Sequence, residues 1–111
     1  MKSQQEFIWE EFISLVNCMC YQKRTQLTKL DLVLLRSYWD GLSDRQIFEI
    51  LEQNRNELKY YYSRDHYFQT GIEYNLMRKM SKLIGTPVNR HSFRKVFEQK
   101  FRDDFNQDRS A

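Results

Sequence analysis

The chain is 111 residues long, 41% hydrophobic and 15% aromatic, with 3 Gly, 1 Pro and a formal net charge of +3. That length holds one domain with a core of its own, and the apolar content excludes a disordered tail. So little Gly and Pro excludes a turn-rich sandwich, while the mild positive charge by itself singles out no partner.

Residues 4–21 place Phe7, Ile8, Phe12, Leu15, Val16 and Met19 at spacings of one, three and four, which predicts an amphipathic N-terminal helix. The polar stretch Tyr21 to Gln26 breaks it. A second helix is expected from Thr28, an N-cap with Asp31 three residues on, and it buries Leu30, Val33, Leu34 and Tyr38. Gly41 closes it with a left-handed cap.

Ser43 and Gln46 form a capping box with Leu42 as its staple, so a third helix begins there and buries Ile47, Ile50 and Leu51. A polar break at Glu52 to Asn54 leads into a fourth helix over 55–64, with Leu58 and Tyr62 facing inward. Ser63 to Thr70 fits either a loop or a continued helix. A fifth helix spans 71–84, burying Ile72, Leu76, Met80 and Leu83, and Gly85 with Pro87 ends it. Asn89 caps a last helix carrying Phe93, Val96, Phe97 and Phe101, and the tail 104–111 is expected to fray. No segment has the period of a strand. The expected fold is all-α, a single domain of five to six helices over 1–103: a first helix at 4–21, a tri-helical core at 28–64 and C-terminal helices at 71–101.

Catalytic and metal chemistry find little support. Cys18 and Cys20 lack a second ligand pair, His66 and His91 are far apart, and the glycines are isolated, so there is neither a zinc pattern nor a phosphate loop. No enzymatic activity, cofactor or small-molecule ligand is expected. The first residues carry Glu6, Glu10 and Glu11 where a signal peptide needs a basic start and an apolar run, and no membrane association is expected. A cytoplasmic location follows as an expectation.

Two short helices joined by a tight turn, 43–51 and 55–64, are the parts of a helix-turn-helix, with buried positions patterned as in sigma-factor region 4. The outward side of the second helix carries Arg55, Asn56, Lys59, Tyr60, Ser63 and Arg64. Arg and Asn read base edges, and Lys and Ser suit phosphates. Arg90, Arg94 and Lys95 are further candidates for gripping the DNA backbone. Two features oppose this reading. Glu52 and Gln53 stand where such motifs favour Gly and an aliphatic residue. Residues 42–65 also set four basic side chains (Arg45, Arg55, Lys59, Arg64) against five acidic ones (Asp44, Glu49, Glu52, Glu57, Asp65), a net of −1.

The run from Leu30 to Ile47, with Trp39 and Gly41, resembles the N-terminal helix-turn-helix module of bacterial vWA-MoxR-associated proteins. The block from Met80 to Arg94 matches a second segment of that family at Ser81, Gly85, Val88, Asn89, Phe93 and Arg94. The resemblance covers about residues 27–101 and implies a sensor or recruitment module of signalling proteins. Two functions therefore stand open: a DNA-binding regulator, or a protein-interaction module, homodimer or adaptor, using the aromatic cluster around Tyr60, Tyr67 and Tyr74 and the amphipathic first helix.

Overall fold

The computed structural model describes residues 6–58 and 68–110, with 68–70 and 105–110 described by backbone alone. Among these residues the chain is all-helical: α1 (Trp9–Gln22), α2 (Lys29–Trp39), α3 (Asp44–Gln53), α4 (Arg55–Leu58), α5 (Phe68–Ile84) and α6 (Phe93–Ser110). No helix among the described residues is long and apolar enough to cross a membrane.

Side chains close both ends of the α2 region. Thr28 Oγ1 accepts from Asp31 N at 3.0 Å while Asp31 Oδ2 accepts from Thr28 N at 3.0 Å. Ser43 and Gln46 repeat the arrangement at the start of α3, at 3.2 and 2.9 Å. Each pair satisfies two amide donors that a helix start leaves without partners. Gly41 has φ 72° and ends α2, with Gly41 N donating to Tyr38 O and Leu42 N to Ser37 O, both at 3.1 Å. This is a complete Schellman motif.

Several boundaries differ from the sequence expectation: α5 starts at Phe68 rather than 71, and α6 at Phe93, after a turn that Asn89 opens, rather than directly after Asn89. α1 starts at Trp9 rather than 4, because Ile8 is extended and serves as N-cap, its amide donating to Glu11 Oε1 at 3.1 Å. Phe7 is buried all the same, so the apolar spacing counted as helical a residue delivered to the core by extended backbone. α1 ends in a second Schellman motif, with Thr25 N on Cys20 O at 2.9 Å and Arg24 N on Tyr21 O at 3.2 Å. Arg24, not glycine, takes the left-handed position there, at φ 55°. α6 runs on to Ser110, well beyond the expected end near 101.

The core is aromatic at one end. The fully buried Phe12 ring lies 5.2–5.5 Å from Trp9, Trp39, Phe93 and Phe97. Phe7 reaches Trp39 and Phe101 at 5.8 and 5.3 Å. α1 thereby packs on both α5 and α6, and Leu34, Leu35, Ile47, Leu51, Leu58, Leu76 and Met80 extend the same core. Ser81 Oγ accepts from Val88 N at 2.9 Å, Gly85 sits at φ 76°, and Asn89 Oδ1 accepts from His91 N and Ser92 N at 2.8 and 2.9 Å. Ser81, Gly85, Val88 and Asn89 thus build the turn from α5 to α6, a structural role for four of the residues that carry the family resemblance.

Candidate nucleic-acid interface

α3 and α4 are separated by one residue. Asn54 closes α3 with its backbone and side-chain amides on Ile50 O, at 3.1 and 2.7 Å, and its own carbonyl accepts from Glu57 N and Leu58 N. Leu58 is fully buried and pins α4 to the core, while Arg55 and Asn56 are exposed on its first turn. Glu57 pairs with Lys29, which ties α4 to the start of α2. Lys59, Tyr60, Ser63 and Arg64 lie outside the described residues, as does most of the expected tyrosine cluster.

The other basic candidates have structural employment. The Arg90 side chain is only 17% exposed; it pairs with Asp44, lies 3.3 Å from Glu73 Oε1 and 3.4 Å from Leu42 O, and stacks over Tyr38 at 4.7 Å. Burial opposes its charge, but the hydrogen bond and charge of Asp44 and the charge of Glu73 prevail and push its pKa upward. Arg94 lies over the Trp39 ring at 4.0 Å, with Glu6 3.9 Å away. Lys95 is exposed. Arg90 sits at the first turn of α3 through Asp44, whereas Arg55 follows the last turn, so the helix puts about 15 Å between the two groups at about 1.5 Å per residue. The structure does not bring them together.

One arrangement was not visible in the sequence. Arg36 lies over Trp9 at 5.1 Å, Trp9 meets Trp39 at 5.6 Å, and Arg94 covers the other indole, so a pair of indoles is flanked by a cation on each side across the seam of α1, α2 and α6. The spacing of Arg36 and Trp39 on α2 hinted at a shared side, but the partners come from elements far apart in the chain.

Among the described residues no cluster of three or more metal-ligating side chains occurs, and no buried side-chain polar atom lacks a partner. A shallow recess of about 190 Å³ is lined by Thr28, Asp31, Asn75 and Lys79 among others, below the roughly 300 Å³ at which ligand pockets begin. Its charges satisfy each other, Lys79 Nζ lying 2.9 Å from Asp31 Oδ2 and 2.7 Å from Gln26 O. Cys20 is buried, and burial pushes its thiol pKa up, away from the thiolate that reactivity requires.

The chain was compared with protein-family models, curated proteins and solved structures. It matches none.

Proposed function

We propose that this chain is a non-enzymatic helix-turn-helix module that binds DNA as a cytoplasmic transcriptional regulator, with α4 presented to the major groove. The observation that carries the reading is the exposure of Arg55 and Asn56 on the first turn of a helix anchored by the buried Leu58. Recognition helices of this class read base edges from their N-terminal residues, and Arg and Asn are the side chains that bond guanine and adenine bidentately. The short turn at Asn54 and the brace of α3 suit that presentation. The test is selection of a preferred duplex from a random pool, followed by affinity measurements on preferred and scrambled sites. Asn56→Ala is expected to cost about 1–3 kcal/mol on the preferred site and little on the scrambled one. Equal losses on both, or no selectable site, defeats base reading by α4.

A second reading, recruitment of a protein or of a second copy, has its own observation. Phe48 on α3 is 44% exposed and Leu32 on α2 is 37% exposed, two large apolar side chains on the proposed motif itself. The resemblance to the vWA-MoxR-associated module agrees with either reading. Sedimentation of the wild type and Phe48→Ser separates them: a concentration-dependent dimer lost in the variant favours recruitment.

A further inference from the structure

We infer that the phosphate grip of this module is the end of the molecule made by the α1–α2 loop and the C-terminal half of α5, and that its ligand is the DNA backbone. The inference rests on the DNA-binding reading and assigns to it a surface that the linear sequence does not show. Two segments of the chain carry no acidic residue, 12–30 and 74–97. The fold lays them against each other: Lys23 Nζ donates to Lys82 O at 2.8 Å, and Lys79 Nζ to Gln26 O at 2.7 Å.

Most of the cations elsewhere on the two segments are already neutralised or covered. Lys79 pairs with Asp31, Lys29 with Glu57, Arg90 with Asp44 and Glu73, and Arg94 lies over an indole ring near Glu6. Lys23, Arg24, Arg78 and Lys82 are exposed, and no carboxylate among the described residues pairs with them. Tyr74, Arg78 and Lys82 follow one another at intervals of four on α5, a single exposed row. Tyr21, 85% exposed, and Tyr74, 64% exposed, flank the cations with rings and hydroxyls.

Helix C-termini attract cations on their own account, and α1 and α5 both end here. Two such ends amount to about one negative charge, at roughly −0.5 each, against four cations. The excess is not required by the fold. Arg24 makes the same point through the backbone, since it holds a left-handed position that glycine occupies without steric cost.

The surface is also connected to α4. The loop that carries Lys23 and Arg24 runs into Lys29, and Lys29 is bonded to Glu57 on α4. The positive charge missing from 42–65 is therefore supplied by other elements, which the Lys29–Glu57 pair ties to α4.

The test is fluorescence anisotropy on a labelled duplex of arbitrary sequence across about 50–200 mM salt. Four phosphate contacts give a slope of log affinity on log salt near −3.6, hence a loss on the order of 10²-fold across that range. The variant Lys23→Gln/Arg24→Asn/Arg78→Gln/Lys82→Gln is expected to lose most of the slope and a similar factor in affinity at low salt. The pair Arg24→Asn/Arg78→Gln disturbs neither Lys23 nor the Lys82 carbonyl, and asparagine tolerates the left-handed backbone. With a wild-type circular dichroism spectrum, that pair is expected to lower the slope by about two units. Wild-type affinity and slope in both variants overturn the assignment while leaving base reading by α4 intact. Loss of binding in the variants with no effect of Asn56→Ala upholds the surface and removes α4 from the site. Absence of duplex binding by the wild type, or binding only to mixed phosphatidylcholine–phosphatidylserine vesicles, overturns both.

Discussion

Arg90→Ala removes the side chain on which α2, α3, α5 and the turn into α6 converge. The guanidinium is 17% exposed and Glu73 29%, so their interaction is screened far less than a surface pair, whereas Asp44 is 65% exposed and its share is discounted. A hydrogen bond to a charged group contributes about 1.5–3 kcal/mol, and a partly desolvated cation over a ring about 1 kcal/mol. The expected loss is about 2–4 kcal/mol, much of it from leaving Glu73 half-buried without its cation. For a domain near this size that lowers the melting midpoint by roughly 4 °C or more per kcal/mol. The control is Arg45→Ala, whose side chain is 89% exposed and lies 3.6 Å from Glu49; it is expected to cost less than about 0.5 kcal/mol. Arg90→Lys keeps the charge but loses the planar fork and the stacking, and is expected to recover only part of the loss. Urea denaturation of the three variants measures this. A cost for Arg90→Ala no larger than for Arg45→Ala refutes the reasoning.

Two further predictions follow from the caps and from Tyr38. Ser43→Ala removes the oxygen that accepts from Gln46 N and is expected to destabilise the domain by about 0.5–2 kcal/mol, read from the urea midpoint. Burial, and then the charge of Glu73, hold the Tyr38 hydroxyl pKa well above the ordinary tyrosine value, with Arg90 opposing. A raised folded pKa means that stability is intact below about pH 10, where unfolded tyrosine begins to ionise, and falls as pH rises beyond it. Tyr38→Phe is expected to lose less stability than wild type between about pH 9 and pH 11, and parallel losses would contradict the assignment.

The helices that were legible in the sequence are those whose ends are written locally. Thr28, Ser43 and Gly41 act on neighbours three to five residues away, and each closes the helix expected of it. Apolar spacing was less informative about backbone than about burial, since Phe7 reaches the core without being helical. The end of α1 carries no glycine to mark it, and Arg24 takes the left-handed position of the Schellman motif instead. The candidate site was legible at Arg55 and Asn56, whose exposure depends on Leu58 close by. It was not legible at Arg90, whose partners Asp44 and Glu73 lie far off in the chain. A linear count of charge cannot assign such pairs, nor could it join the two acid-free segments that Lys23 and Lys79 bring together.

The ring of Phe12 has consequences for the order in which the protein is made. It meets Trp39 at 5.2 Å and Phe93 and Phe97 at 5.4 Å, so its partners are divided between α2, made soon after α1, and α6, made much later. A ribosome delivers α1 long before α6, and during that interval the stripe of α1 has Trp39 of α2 to close upon but neither Phe93 nor Phe97. Bridging so long a span costs on the order of 4 kcal/mol in loop entropy, which no early contact repays. The nascent chain is therefore expected to keep part of the α1 stripe open until α6 emerges, and to complete its core only then.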